Sequence, residues 1–177
     1  MVGKRERQRA KQLIRNIPDV WKHKRVLYIG ARLNRFHFKN NLRENRCIVD
    51  VIEINKENCE GLKTLKWLNR IIHGDVIDVD ELVDSKYDMV LWSHGPEMIE
   101  RKDITPTIDK LMRLTGKIII LMCPWGKYWG KFPSSTPSEN VSKTPLYEGY
   151  FKRLGFKTSI LGEKDARGSN LLAWKRI

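Results

Sequence analysis

The chain has 177 residues, 41% of them hydrophobic, which is typical of one globular domain and excludes a disordered segment. No apolar run approaches the roughly 20 residues of a membrane span, and the basic N-terminus MVGKRERQRAKQ lacks the apolar stretch of a secretory signal. The formal net charge of +13 favours a polyanionic partner such as nucleic acid, although a solvated basic surface explains it equally well.

The first predicted element is a basic helix over residues 4–16 that continues toward residue 21, so that residues 1–20 form a basic N-terminal helix interrupted by Pro18. Its apolar face comprises Leu13, Ile14, Ile17, Val20 and Trp21. Strands and helices then alternate. The predicted strands cover residues 26–29, 47–54, 70–73, 87–92 and 117–123, and the predicted helices cover 36–44, 56–67, 106–114 and 146–154.

This alternation predicts a single α/β domain over residues 1–177. Apolar strands separated by helices indicate a mainly parallel sheet covered on both faces, in a three-layer sandwich. The last two predicted strands, 157–161 and 171–175, are joined by GEKDARGSN, which leaves no room for a helix. A connection this short makes a hairpin, so the sheet ends with antiparallel strands.

Polar residues stand where the predicted parallel strands end, which is where open α/β sheets bind ligands. Gly30 follows the first strand, Glu53 ends the second strand 23 residues later, and Asp75 follows the third. A carboxylate after the second strand is placed to accept hydrogen bonds from ribose hydroxyls, and Asp75 could receive an adenine amino group. Taken singly, Glu53 could be a helix cap and Asp75 a turn residue; together they favour a nucleotide-like ligand.

The order of these residues, followed by a terminal hairpin, resembles class I S-adenosylmethionine-dependent methyltransferases from about residue 21 to residue 177. The segments VLYIGAR, IIHGDV, WSHGPE and CPWG resemble a small subgroup of that superfamily. The resemblance implies a Rossmann-like, seven-stranded sheet of order 3-2-1-4-5-7-6 and S-adenosylmethionine as the cofactor. The implied cofactor residues are Gly30 and Ala31 at the methionine part, Glu53 at the ribose, Asp75 and Val76 at the adenine, and in addition Arg32, Ile54 and Ser93.

The loop after the first strand departs from the superfamily pattern. An acid is usual where Tyr28 stands, and further glycines are usual where Arg32 and Asn34 stand. Arg32 could compensate by pairing with the cofactor's carboxylate.

The segment SHGPEM after the fourth strand is the predicted transfer site. His94 is suited to act as a base if the acceptor must lose a proton, and Glu97 could orient it or bind a substrate cation. Alternatively, His94 caps the strand and Glu97 only begins a helix. The segment does not match the Asn/Asp-Pro-Pro-aromatic signature of methyltransferases that act on amino groups of DNA bases.

The segment PWGKYWGKF mixes aromatic and basic residues, and its predicted acceptor-binding residues are Trp125, Tyr128 and Trp129. Such a loop can stack on single-stranded nucleic acid, can wall a pocket for an apolar small molecule, or can pack on the sheet.

The sequence therefore predicts a methyltransferase whose acceptor is a nucleic acid or a small molecule. The alternative is a non-catalytic, methyltransferase-like module that binds nucleic acid, since residues 1–46 carry a net charge of +11. Its predicted contacts are Lys4, Arg5, Arg7, Arg9, Lys11 and Arg15. A nicotinamide-dependent oxidoreductase is disfavoured by the hairpin and by the absence of G-x-G-x-x-G. The cysteines, Cys47, Cys59 and Cys123, have no metal-ligand spacing and suggest reduced thiols in a cytosolic protein.

Overall fold

The structure is a computed structural model that describes residues 4–33, 36–125, 144–161 and 170–177. The strands of these parts are β1 (Arg25–Ile29), β2 (Ile48–Glu53), β3 (Arg70–His73), β4 (Tyr87–Ser93), β5 (Thr115–Pro124), β6 (Lys157–Leu161) and β7 (Asn170–Arg176). The α-helices are α1 (Lys4–Asn16), α2 (Lys39–Glu44), α3 (Lys56–Leu62), α4 (Val79–Leu82), α5 (Arg101–Leu114) and α6 (Glu148–Arg153).

The strands form one seven-stranded sheet of order β3-β2-β1-β4-β5-β7-β6. Strands β1 to β5 pair in parallel, and β7 lies antiparallel between β5 and β6. The predicted α/β architecture, its strand order and its terminal hairpin are thus confirmed.

The core lies in two layers because each central strand buries both of its faces. In β1, Val26 and Tyr28 belong to one layer, whereas Leu27 and Ile29 belong to the other. Helices α1, α2 and α3 cover the first layer with Leu13, Leu42 and Leu62, and helices α4, α5 and α6 cover the second with Val79, Ile108 and Phe151. The strand ends therefore emerge between two helical layers, and this edge holds the candidate site.

The first helix has the predicted limits of residues 4–16, but it does not continue toward residue 21. Helix α1 ends at Asn16, and the chain resumes as a 3₁₀ turn at Val20–Lys22, because Pro18 lacks an N–H and restricts the residue before it. Leu13, Ile17 and Val20 are buried as predicted, but Ile14 is 38% exposed and Trp21 is only half-buried. The prediction that the apolar helical face continues beyond Pro18 was therefore wrong.

Other helix limits also differ from the prediction. Helix α2 begins only at Lys39, because Phe38 before it takes a left-handed φ of 62°. Helix α5 begins five residues earlier than predicted and contains Pro106 within its second turn, where the proline is exposed. Helix α4 was not predicted, because a single turn of four residues is too short to show a periodic pattern. Within the described residues, no helix has the length and apolar character to cross a membrane.

Candidate functional site

A pocket of about 330 Å³ opens at the carboxyl ends of β1 to β4. It is lined by residues that follow four strands, among them Gly30, Glu53, Asp75 and His94. Backbone hydrogen bonds hold these ends in register: the Gly30 N–H donates to the carbonyl of Ile52 (2.9 Å), and the Gly74 N–H donates to the carbonyl of Glu53 (3.1 Å). The structure thus brings the polar residues of successive strand ends to one crevice.

Glu53 is the most constrained acid of the pocket, with only 4% of its surface exposed. Its Oε1 accepts hydrogen bonds from the backbone N–H of Asn55 and from Nδ2 of Asn58, each at 3.0 Å. Both donors belong to the start of α3, whose first turn is capped by Asn55. The carboxylate therefore has a fixed orientation at the pocket wall before any ligand binds.

The far end of the pocket is formed by the segment after β3. Asp75 caps a 3₁₀ turn, its Oδ1 accepting the N–H of Ile77 at 3.1 Å. Val76, Ile77 and Ile54 add apolar wall beside it. A flat apolar surface next to a carboxylate suits a heteroaromatic ring that bears a donor group.

The pocket carries more negative than positive charge. Among the described residues, four acids line it, Glu53, Asp75, Glu100 and Asp103, against one guanidinium, that of Arg32. This balance favours a ligand with net positive charge.

Two glycines of the pocket wall are required by the backbone or by a close approach. Gly30 takes a φ of +77°, a conformation that residues with a Cβ rarely adopt. At Gly95, an added Cβ would lie 1.8 Å from Nε1 of the buried Trp92. Gly95, which could not be singled out from the sequence, is therefore required by the close packing of Trp92.

Two predicted cofactor residues do not line the pocket. Ala31 is fully buried and packs in the first core layer. Ser93 is 2% exposed, and its Oγ has no hydrogen-bond partner among the described residues. Both are sequence neighbours of residues that do line it: Ala31 lies between Gly30 and Arg32, and Ser93 lies between Trp92 and His94.

His94 lies at the mouth of the pocket in a left-handed conformation, with a φ of 55°. Its N–H donates to the carbonyl of Met122 at 2.7 Å, and its ring packs against that of His37, with centroids 4.9 Å apart. Nδ1 lies 3.6 Å from Oε1 of Glu97, too far for a hydrogen bond but within the distance of an ion pair when the ring is protonated. Left-handed backbone at a bulky residue concentrates at functional sites.

Glu97 lies behind His94 and does not line the pocket. It is 3% exposed, and its backbone carbonyl accepts the N–H of Thr144 at 3.2 Å. Burial raises the pKa of the neighbouring Cys123 thiol well above its usual range, and the Glu97 carboxylate adds to this effect. Glu97 is therefore placed to act on His94 rather than directly on a ligand in the pocket.

A second set of contacts reaches His94 from the other side. The side-chain amide of Asn170, at the start of β7, lies between His94 and Arg9, and the amide orientation that satisfies both neighbours turns its Nδ2 toward Nε2 of His94, at 3.2 Å. Its oxygen accepts hydrogen bonds from Nε (3.0 Å) and Nη2 (2.9 Å) of Arg9 on α1. Arg9, predicted as a nucleic-acid contact, is thus directed inward.

The predicted acceptor-binding aromatics are only partly described. Trp125 is half-buried outside the pocket, and its Nε1 donates to Oε2 of Glu148 at 3.0 Å, which ties it to α6. Tyr128 and Trp129 lie outside the described residues.

Sequence reasoning missed several residues of this region. Asn170, His37 and Asp103 carry no motif and follow no predicted parallel strand, so only the tertiary structure brings them here. Asp103 belongs to the first turn of α5, which the prediction began after it. Among the described residues, no three His, Cys, Asp or Glu side chains are grouped to hold a metal ion.

Solved structures share this architecture over nearly the whole chain. The N-methyltransferase NodS from Bradyrhizobium japonicum WM9, in complex with S-adenosyl-L-homocysteine, superposes with a TM-score of 0.71 at 16% identity, over 98% of this chain and 88% of that one. The plantazolicin methyltransferase BamL, in complex with a triazolic desmethylPZN analog and S-adenosylhomocysteine, gives a TM-score of 0.71 at 13% identity, over 98% and 85% of the two chains. The magnesium protoporphyrin IX methyltransferase ChlM from Synechocystis PCC 6803, with bound S-adenosylmethionine, gives 0.64 at 12% identity, over 97% and 78%.

These likenesses establish the fold. The chain has the fold of the class I S-adenosylmethionine-dependent methyltransferases, as its strand ends suggested. No protein-family model matches the sequence, and no curated protein sequence matches it.

Proposed function

We propose that the protein is an S-adenosylmethionine-dependent methyltransferase. The observation that carries the proposal is the convergence of Gly30, Glu53 and Asp75 on one pocket at successive strand ends. Both carboxylates line one pocket that has an apolar wall. One would accept hydrogen bonds from the ribose hydroxyls and the other from the adenine amino group, so the pocket fits one nucleoside. The pocket volume of about 330 Å³ lies at the lower end of the usual range for ligand sites, roughly 300–1,000 Å³.

The residues of the pocket fit each part of this cofactor. Glu53 would accept the ribose hydroxyls, with Ile54 beside it, and Asp75 and Val76 would hold the adenine. Gly30, followed by Ala31, would let the backbone approach the methionine part, and Arg32 would pair with its carboxylate. The buried side chain of Ser93 would support the cofactor site from behind the pocket wall. The excess of acids in the pocket suits a ligand with net positive charge, which S-adenosylmethionine is.

The acceptor side is proposed to be the region of His94 and Glu97, with Trp125, Tyr128 and Trp129 as binding residues for the acceptor. When bound, S-adenosylmethionine supplies a methyl group on a positively charged sulfur, an electrophile that requires little activation. The protein's part is then to position the acceptor and, where the acceptor carries a proton, to take that proton. The acceptor could be a nucleic acid or a small molecule.

Calorimetry with S-adenosylmethionine tests the proposal. We expect saturable heat with the unmodified protein, and no comparable heat with nicotinamide adenine dinucleotide, which also contains ribose and adenine. The second titration is the matched control, because it separates a methyltransferase pocket from a general dinucleotide site. Absence of heat at millimolar S-adenosylmethionine would contradict the proposed function.

A second candidate function is a non-catalytic module that binds nucleic acid through α1. Arg7, Lys11 and Arg15 are exposed on this helix, and no acidic partner of theirs is found among the described residues. The side chains of Lys4 and Arg5 lie outside the described residues. If α1 contacts RNA or DNA, affinity should fall as salt rises, and replacing these three residues by Gln should reduce the slope of that dependence. Salt-independent binding would remove this partner.

The proposed location is the cytoplasm. Cys47, Cys59 and Cys123 are all free and buried, and burial raises the pKa of each thiol. Buried thiols of this kind are suited to a reducing environment, where they persist without pairing.

A further inference from the structure

We infer that Arg9 and Asn170 are positioning residues that hold His94 in one neutral tautomer, with its proton on Nδ1 and a lone pair on Nε2. The inference deepens the proposed function and rests on it for its catalytic meaning, since it names the nitrogen that would take a proton from the acceptor. The tautomer itself follows from the contacts of three side chains.

The guanidinium of Arg9 can only donate hydrogen bonds. Two of its nitrogens lie 2.9 and 3.0 Å from the side-chain amide of Asn170. The amide must therefore turn its oxygen toward Arg9, because an NH₂ group there would face two further donors. Asn170 is 2% exposed, so water has little access to the amide and cannot readily supply hydrogen bonds that would stabilise the opposite orientation.

The orientation of the Asn170 amide then determines which ring nitrogen of His94 carries the proton. With its oxygen toward Arg9, Asn170 presents its NH₂ group to Nε2 of His94 at 3.2 Å. An NH₂ group only donates, so Nε2 must offer a lone pair. A neutral imidazole that accepts at Nε2 carries its proton on Nδ1, and Nδ1 is the nitrogen that faces Glu97 at 3.6 Å.

This is the arrangement of a general base. The Glu97 carboxylate, 3.6 Å from Nδ1, would attract the ring once Nε2 has taken a proton, without the hydrogen bond to Nδ1 that the carboxylate of a hydrolase triad makes. Among the described residues, the ionisable groups around His94 include Glu97 on the same segment, His37, whose ring lies tilted against that of His94, and Arg9 beyond Asn170. His94 is therefore prepared as a base without any bound ligand.

The arrangement also specifies the acceptor. The NH₂ group of Asn170 occupies the lone pair of Nε2, so a reactive group must take its place by donating a hydrogen bond of its own. Only an acceptor with an O–H or N–H can do this. On reaction the acceptor atom would bond to the methyl carbon, the bond from that carbon to the sulfur of S-adenosylmethionine would break to leave a neutral thioether, and the acceptor's proton would move to Nε2 while Nδ1 keeps its own. The class of acceptor that fits is a hydroxyl or a protonated nitrogen centre, rather than a thioether or a carbon atom.

Histidine nitrogen NMR tests the inference in the absence of any cofactor or acceptor. Two-bond ¹H–¹⁵N correlations of protein labelled at its four histidines report the tautomer of each ring, and a His94→Gln variant identifies the signals of His94. We expect His94 at neutral pH to show an unprotonated Nε2 and a protonated Nδ1. A protonated Nε2 in the unmodified protein would overturn the inference.

Two variants test the role of the positioning residues. Asn170→Asp is nearly isosteric and keeps Arg9 paired, but a carboxylate only accepts, so Nε2 of His94 should become protonated. Arg9→Met should let the amide of Asn170 turn and produce a mixture of the two tautomers. Arg7→Met, an equal charge change on the exposed side of α1, is the matched control and should leave the signals of His94 unchanged.

The outcomes separate this inference from the proposed function. Unchanged His94 signals in both Asn170→Asp and Arg9→Met, with folding confirmed by circular dichroism, would refute the positioning role. S-adenosylmethionine binding is measured on the same samples and tests the proposed function alone, because binding of the cofactor does not depend on the tautomer of His94. Should Asn170→Asp not fold, Arg9→Met and the unmodified protein still decide the question.

Discussion

The pocket acid Glu53 gives the sharpest test of cofactor recognition, through the substitution Glu53→Gln. The exchange preserves the shape of the side chain, and the Asn55 and Asn58 donors can still bond to its oxygen. The NH₂ group then faces the pocket, where the carboxylate would have accepted two ribose hydroxyls. Hydrogen bonds to a charged group are worth about 1.5–3 kcal/mol and neutral ones about 0.5–1.5 kcal/mol. Replacing the two charged hydrogen bonds to the ribose by neutral ones should therefore weaken the binding free energy by about 2–3 kcal/mol.

This loss corresponds to a rise of about 30- to 150-fold in the Kd for S-adenosylmethionine. Calorimetry measures it directly, with thermal unfolding as a check that the variant is folded. Glu57→Gln is the matched control, because Glu57 is an exposed acid in the first turn of α3 and does not line the pocket. Equal affinities of the unmodified protein and Glu53→Gln would refute the placement of the ribose at Glu53.

Three further predictions concern stability and are measured by urea or thermal unfolding. Gly95→Ala should destabilise the fold by about 3 kcal/mol, because the new Cβ would lie 1.8 Å from the indole of Trp92; an unchanged Tm would contradict this. Gly61→Ala, in α3, where a Cβ meets no atom within 4 Å, should instead stabilise by about 0.5–1 kcal/mol; a loss of stability would speak against it. Backbone N–H groups and Lys117 lower the pKa of Asp88 from 3.8 to about 2. Asp88→Asn should therefore lower the free energy of unfolding by about 1 kcal/mol at pH 7, after allowance for solvent screening. Because the folded pKa is the lower one, this cost should vanish as the pH falls from 4 toward 2, and a cost that persists at pH 2 would exclude the mechanism.

The pocket could be predicted because strand topology alone brings its polar residues together. Once β1, β2 and β3 are parallel neighbours, the residues just after them must share one edge of the sheet, whatever their surroundings. Gly30, Glu53 and Asp75 follow this rule. Ala31 and Ser93 do not, because a shift of one residue turns a side chain away from the edge and into the core.

The network around His94 could not be predicted in the same way. It joins residue 9, in the first helix, to residue 170, in the last strand, and no short-range pattern relates them. The position of Arg9 depends on how the buried face of α1 docks, and one residue that was predicted for that face, Ile14, is exposed. Since its charge is identical to that of Arg7, only the direction of the side chain distinguishes an inward contact from an exposed one.

The position of β7 has a consequence for synthesis on the ribosome. This strand lies between β5 and β6 and pairs with both, although it is the last strand of the chain. Until residues 170–176 have left the exit tunnel, β5 presents an unpaired edge of ten residues and β6 has no neighbour within the sheet. The nascent chain is therefore most prone to misassociation after β6 has emerged and before β7 has been added to the sheet, and binding of a chaperone at that stage should favour the β5 edge.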